Sequence, residues 1–390
     1  MKKIIVFLMT VILVFGNVSP LECYGKEEIN DSSLYSLSAA LIDGDTGRVL
    51  YEKNGYEKRA MASTTKIMTL ILALEYGNLD DMVTVSSYAS KMPDVQLNIK
   101  ENEQYRLEDL LLSLMLESHN DSAVAIAEHI GGSVEKFADM MNKKAGELGL
   151  SSTYFITPNG LDAADSKDTH STTAVELSLL MKYCVMESPM KEEFIRICRT
   201  REHTFSDYEN TRIHSIRNKN AFLDMMEGVV AGKTGFTANA GYCYVVALTR
   251  ENKTYIVALL GCGWPGNKTY KWKDSRYLLE YGIENYNYKC IFDNDVCNII
   301  IPVANGKNKD SIHTIVRDDI NCIVSDDDKV DIIYDIPGKL AAPIKKGDVV
   351  GGIDIYINDI KFARINIYSV DNVEKKDLKY YLQKVFSFYF

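Results

Sequence analysis

Apolar positions recur at two different periods along this 390-residue chain. Residues 37–42 and 48–51 are short apolar runs on either side of Asp43-Gly44-Asp45-Thr46-Gly47, and this pattern predicts a β-hairpin. Residues 66–76 carry Ile67, Met68, Leu70, Ile71, Leu72, Ala73 and Leu74, so the predicted helix is apolar on nearly every face and must be buried. Further helices are predicted over 107–116 and 123–130, flanking Ser118-His119-Asn120, and over 138–148 and 174–186. Residues 242–249 and 254–260 predict a strand pair across Arg250-Glu251-Asn252-Lys253, and 268–281 a closing helix. Strands at both ends with helices between them predict one sheet assembled from sequence-distant pieces, with a helical subdomain.

The texture changes near residue 291. Short β-rich runs follow at 298–303, 313–316, 321–324, 330–336, 349–357 and 362–370, separated by turn-rich stretches such as Asn305-Gly306-Lys307-Asn308. They predict an all-β domain. In the tail, residues 378–390, Leu378, Tyr381, Leu382, Val385 and Phe386 fall at helical spacing, with Lys375, Lys376, Lys379 and Lys384 beside or between them. That is the pattern of a helix lying in a membrane interface, and the competing placement is a helix docked on the β domain. At the other end, Lys2 and Lys3 precede the apolar run 4–15, which reads as a secretory signal cleaved after about Gly25. The run is short for a bilayer span. Export to the outer face of the cytoplasmic membrane or the cell wall is the expectation.

Composition narrows the function classes. Hydrophobic residues are 46 % and charged residues 25 %, as in ordinary globular chains. The net charge of −10 leaves no basic surplus for a nucleic-acid partner. No Cys-x-x-Cys occurs among the eight cysteines, and Cys184 and Cys243 sit in apolar segments, so mostly free, buried thiols are expected. None of the six histidines falls in a ligand spacing, so neither a metal nor a cofactor is expected.

Three short motifs carry the chemistry. In Ser63-Thr64-Thr65-Lys66 the spacing of three puts both side chains on one helix face. A hydroxyl at the start of the buried helix would sit in its positive field. An amine projecting from an apolar helix would lose solvation, and its pKa would fall toward that of a useful base. The same spacing recurs at Ser133–Lys136 and Ser188–Lys191, where charged surroundings and Pro189 point to structural roles. Ser118-His119-Asn120 interrupts two helices, and offers either a hydroxyl relay and a carbonyl-holding amide or a plain helix cap. Lys233-Thr234-Gly235 precedes a strong strand, whose edge can pair with an extended peptide while Lys233 and Thr234 meet its carboxylate. Gly235 removes a side chain where backbones must approach closely. A phosphate loop is excluded, because three residues rather than four separate Gly228 from Gly232 and a strand follows.

In this order, and on a chain with an export signal, the motifs resemble those of the serine D-alanyl-D-alanine carboxypeptidases, the low-molecular-weight penicillin-binding proteins. The likeness extends to Ala62 through Thr69, to Asn120 through Glu128, to Thr157-Pro158-Asn159-Gly160-Leu161 and to Phe236-Thr237 with Ala240-Gly241-Tyr242. Residues 342–347 resemble part of that family's C-terminal β domain. The resemblance implies an α/β (α+β) penicillin-binding/β-lactamase-like transpeptidase fold with a helical subdomain, plus a small C-terminal all-β domain. It divides the chain into a signal peptide (1–25), a catalytic domain (26–286), a β-rich domain (287–372) and an amphipathic tail (373–390). It also implies roles. Ser63 forms the acyl-enzyme, Lys66 accepts its proton and Ser118 relays the proton. Asn120 holds the acyl-side amide, Lys233 and Thr234 bind the terminal carboxylate, and the backbone N–H groups of Ser63 and Phe236 form the oxyanion hole beside Gly235. The partners implied are peptidoglycan stem peptides and covalently bound β-lactams, with a membrane surface at the tail.

Two positions depart from the family. His119 stands where a small residue is usual, and is expected to reshape the cleft or add a titrating group. The family's carboxylate-steering arginine has no clear match, and Lys271, lying nearby, is expected to substitute only weakly. Two other functions share the motifs. A β-lactamase needs a further carboxylate in a Glu-x-x-Leu-Asn-type loop after the second motif, and the nearest stretch, Asp94 to Asn98, has Asp for Glu and lies before it. A non-catalytic wall-binding or β-lactam-sensing protein would have no need of an intact Ser63, Lys66, Ser118 and Lys233.

Overall fold

The computed structural model describes residues 29–294 and 299–389. The proposed signal segment, Cys23 and Cys297 lie outside them. The two predicted N-terminal strands are β1 (Ser38–Asp43) and β2 (Val49–Lys53), antiparallel across the predicted turn. They join β3 (Val229–Thr237), β4 (Gly241–Arg250) and β5 (Lys253–Leu260) in one sheet of order β2-β1-β5-β4-β3. All neighbours run antiparallel. Every residue of β1 and β5 is buried, so both faces of the sheet are covered. Ala40, Ile42, Ile256 and Ala258 join the main core. On the other face Leu41 and Tyr255 lie against Gly282 of the closing helix, Tyr270–Asn285, where a Cβ would come within 3.0 Å of the Tyr255 ring.

The helical subdomain is built around α1 (Lys66–Tyr76), whose residues 66–74 are all buried, as the all-round apolar pattern required. Helices α2 (Leu107–Leu116) and α3 (Asn120–Gly131) pack on it, with α4 (Val134–Glu147) beyond. The structure corrects several boundaries. α3 begins at Asn120 and α4 at Val134, each earlier than the apolar period suggests, because polar residues occupy the first turns. The helix expected over 174–186 is α5 (Ala174–Lys182), followed by a wider turn at Tyr183–Glu187. Lys233-Thr234-Gly235 lies inside β3 rather than ahead of a strand, and β3 is the sheet edge. Helix Lys191–Arg199 and the hairpin Glu202–Ser206 with Ile213–Arg217 carry few buried apolar residues, which left them silent in the pattern. Both spare Ser-x-x-Lys pairs are structural. Ser133 caps α4 through the Lys136 N–H, and Ser188 donates to Glu75, which also pairs with Lys144 at 2.7 Å.

The C-terminal part is all-β. Strands Val330–Asp335, Val349–Ile357, Ile360–Ser369, Ser311–Ile315, Ile300–Ala304 and Leu340–Ala341 follow one another in a sheet, beside the pair Asn287–Phe292 and Ile320–Val324. Its contacts reach Glu374 and Lys376, whose backbone bonds Lys307 and Asn305. The tail helix Leu378–Tyr389 buries no residue, and so is not docked on the β domain. Among the described residues no helix is long and apolar enough to cross a membrane. The six described cysteines are free, and all but Cys290 are buried.

One ion pair ties the β domain to the hairpin of the first sheet. Arg48 donates to Asp328 at 2.5 Å and to the Ile323 carbonyl at 3.0 Å. Burial opposes ionisation of Asp328, but hydrogen bonds from Arg48 and the Ser325 N–H outweigh it and hold the carboxyl below its usual range. A depressed folded pKa adds stability above the unfolded value of about 3.9, which disappears as pH falls through the folded value. Arg48→Ala is therefore expected to lower unfolding free energy by about 1–3 kcal/mol at neutral pH, with a smaller deficit near pH 3. Urea denaturation at both pH values measures this; an equal deficit at both would show that the pair is not its source.

Candidate active site

Three chain segments converge at one end of α1. The first is a single 3₁₀ turn, Ala62–Thr65, which carries Ser63 just before the helix rather than in it. The second is the α2–α3 connection with Ser118, and the third is the edge strand β3. Lys66 Nζ lies 2.8 Å from Ser63 Oγ, 2.8 Å from Asn120 Oδ1 and 2.7 Å from the Asn159 carbonyl. The last two groups can only accept, so they take two N–H donors. When the amine is neutral, its lone pair is left facing Ser63 Oγ. Lys66 is 0 % exposed. Burial drives its pKa well below the ordinary lysine value, the Lys233 charge pushes the same way, and Asp121 opposes them.

The second lysine faces the second serine. Lys233 Nζ donates to Ser118 Oγ and to the Thr234 carbonyl, both at 2.8 Å. It is also buried, and burial pulls its pKa down to about 7, with Cys198 opposing. Ser118 sits at φ +70 and Ala62 at φ +48, left-handed conformations that cost a non-glycine residue about 1 kcal/mol or more. The two strained residues are the one just before Ser63 and Ser118 itself.

Close backbone approach explains the glycines. A Cβ on Gly235 would lie 2.8 Å from the Ser63 nitrogen and 3.1 Å from that of Thr64, so only glycine lets β3 lie against the turn that carries Ser63. Gly160, at φ +86, faces the same turn from the other side, where a Cβ would sit 2.0 Å from the Ala62 carbonyl oxygen. Phe236 follows on the edge, its ring half-exposed and 4.7 Å from that of Tyr242. Sequence reasoning quoted Asn159 only as part of a family stretch; its carbonyl on Lys66 is visible only in three dimensions. It also missed His170. The Ile156 N–H donates to His170 Nδ1, which assigns the proton to Nε2, 2.8 Å from Thr65 Oγ1. Thr65 in turn donates to the Ala62 carbonyl, bracing the turn from below.

The two departures from the family pattern are resolved. His119 does not enter the cleft. It is buried at the α2–α3 junction with Nδ1 2.8 Å from Ser113 Oγ, and burial lowers its pKa to about 4, so it adds no group titrating near neutrality. Lys271 is held by other groups. It donates to the Lys268 carbonyl at 2.6 Å and lies 4.6 Å and 4.5 Å from the ring centres of Tyr242 and Trp272. The amine that β3 brings to the site is that of Lys233.

This geometry has counterparts in known proteins. A family model described as D-alanyl-D-alanine carboxypeptidase matches residues 26–263, and one described as penicillin-binding protein 5, C-terminal domain, matches residues 288–375. The D-alanyl-D-alanine carboxypeptidase DacF of Bacillus subtilis is 30 % identical over 358 residues, covering 89 % of this chain and 88 % of that protein. DacC of Escherichia coli, also a D-alanyl-D-alanine carboxypeptidase, is 29 % identical over 378 residues, covering 92 % and 89 %. The solved structure of penicillin binding protein 5 from Haemophilus influenzae superposes with a TM-score of 0.71 at 27 % identity, over 90 % of this chain and all of that one. With one family model spanning more than half of its length and a relative aligned over nearly all of it, the chain belongs to the D-alanyl-D-alanine carboxypeptidase family and is a serine hydrolase of the penicillin-binding type.

Proposed function

We propose that Ser63 is the nucleophile that removes the terminal D-alanine from peptidoglycan stem peptides ending in D-Ala-D-Ala. The observation that carries this is the amine of Lys66, buried, without a carboxylate partner among the described residues, and 2.8 Å from Ser63 Oγ. As Oγ attacks the penultimate carbonyl, neutral Lys66 takes its proton, and the N–H groups of Ser63 and Phe236 receive the developing oxyanion. Ser118, hydrogen-bonded to Lys233, passes a proton to the departing D-alanine nitrogen. Asn120 holds the acyl-side amide, and the chain of the substrate extends β3. Water then resolves the ester, with Lys66 again as base. A β-lactam enters by the same attack, but its opened ring stays attached as leaving group, so the ester persists. Export, residues 1–25 as signal, 26–286 as catalytic unit and 287–372 as β domain belong to the same proposal, as does membrane association of 373–390.

D-alanine release from three matched peptides tests the reaction. The peptide with a free D-Ala-D-Ala terminus should turn over. Its C-terminal amide should lose on the order of a few kcal/mol of transition-state binding, because Lys233 would stay buried and unpaired. An L-Ala terminus should fail, since a fixed carboxylate turns its methyl into the wall. Ser63→Ala should abolish release and penicillin labelling. Equal rates on all three peptides would refute recognition of a D-terminal carboxylate.

The two lysines set the pH dependence. Lys66 must be neutral, so kcat/KM should rise through a limb below the free lysine value of about 10.4. Lys233 must be charged to meet a carboxylate, so the free enzyme should lose kcat/KM as pH rises through about 7. In the kcat profile this falling limb should move upward, because the bound carboxylate holds the Lys233 proton. Lys233→Arg, charged throughout, should lose the falling limb, and Lys66→Arg should lose most acylation. A falling limb unchanged in Lys233→Arg would mean that another group produces it.

The tail helix exposes Leu378, Leu382, Phe386 and Phe388. Its aromatic area and flanking lysines suit an anionic membrane interface. Flotation with anionic liposomes should carry the chain cleaved after Gly25, but not the same chain lacking residues 374–390. Equal flotation of both would remove the anchor.

A further inference from the structure

We propose that Asp121 is a positioning residue that acts through the loop 93–99 to hold the Asn120 amide in the orientation the Lys66 amine needs. The inference rests on the reading of Ser63 and Lys66 given above. Asp121 lies in the first turn of α3 and is 1 % exposed. Its Oδ1 accepts from the Leu97 N–H at 3.0 Å and the Ser122 N–H at 2.9 Å, and Oδ2 accepts from the Ile99 N–H at 3.2 Å. Among the described residues no side-chain cation pairs with it; backbone donors and the helix N-terminus hold the charge.

The loop pinned in this way closes over the preceding residue. Its Val95 carbonyl accepts the Asn120 N–H at 2.7 Å. Its Pro93 and Asp94 carbonyls both accept from Asn120 Nδ2, each at 3.1 Å. With both amide hydrogens taken by acceptors, Oδ1 must face the other way, and it meets Lys66 Nζ at 2.8 Å. A flipped amide would set Oδ1 against two carbonyl oxygens and point N–H groups at the lysine, losing all three bonds. The chain of cause therefore runs from the Asp121 carboxylate to the loop, to the Asn120 amide, to the direction of the Lys66 lone pair. Neither Asp121 oxygen has to touch substrate.

The carboxylate has a second, separable effect. The charged groups sensed by Lys66 are Lys233 on β3 and Asp121 on α3, and the neighbouring His119 is neutral. Removing the Asp121 charge lowers the Lys66 pKa further, so the rising limb of acylation moves to lower pH.

The test is a double-mutant cycle on the full chain, read as the rate of penicillin acylation at Ser63. Asp121→Asn can still accept from one side of the loop but presents an N–H₂ to the other, and should slow acylation about 100-fold, the loss expected from a misplacement near 1 Å. Asn120→Ala should be slow as well. If Asp121 acts through Asn120, Asp121→Asn should cost no further rate in the Asn120→Ala background, while its shift of the pH limb should persist there. A merely structural role predicts additive losses, and additivity overturns the inference. Should Asp121→Asn not fold, Asp121→Glu, which keeps the charge and both acceptors but moves them by one methylene, carries the same cycle with the same two outcomes. Failure of the wild type to label at Ser63 would instead overturn the functional reading beneath the inference.

Discussion

A lysine amine kept out of water, with no counter-ion bonded to it among the described residues, is the constraint around which this molecule is organised. Lys66 is fully buried, and among its neighbours Asn120 Oδ1 and the Asn159 carbonyl are neutral acceptors. An ammonium in such a place is penalised by desolvation, and a paired carboxylate would cancel that penalty and leave an inert cation. The fold supplies enough acceptors to orient the nitrogen and withholds the charge that would fix its proton. The price is stability spent on a polar group in an apolar core, and the all-round apolar surface of α1 is what tolerates it.

The rest of the site is a way of bringing backbone to that nitrogen. Lys66 reaches Ser63 because the chain leaves the helix through a 3₁₀ turn held on two sides, by Gly160 and by Gly235. Side chains at either glycine would hold the Asn159 carbonyl away from Lys66 or β3 away from Ser63. The turn also rests on Thr65 and His170, a neutral imidazole whose pKa burial lowers to about 4. Backbone strain at Ala62 and Ser118 persists because packing around them leaves no alternative path.

Much of this was legible in the sequence, and the boundary of legibility has a physical form. Polar and ionisable side chains announce themselves by type and spacing, so Ser63, Lys66, Ser118, Asn120 and Lys233 could be named from the sequence, and the structure brings them together. The sheet core was found because β1, β4 and β5 are continuous apolar runs, and α1 because no face of it is polar. Groups that act through main chain were invisible, the Asn159 carbonyl above all. His119 misled because a histidine beside a serine suggests titration, whereas its role depends on which way the ring turns. Lys271, near in sequence to the expected place, is turned toward a carbonyl and two rings, contacts that its position in the chain does not announce.

Both lysines of the site lose solvation, yet they suit opposite duties, and the difference lies in what arrives. Lys66 meets only neutral acceptors before and after a substrate enters, so burial keeps favouring its neutral form. Lys233 points at Ser118 and the Thr234 carbonyl on an edge strand, a place left open for an extended chain. On the proposed reading, a carboxylate delivered there raises the Lys233 pKa and keeps that amine charged, and by pairing with it cancels most of its charge as felt at Lys66. Under that reading, selectivity for a free carboxylate belongs to the amine on the sheet edge, and activation of the nucleophile to the amine enclosed by neutral acceptors.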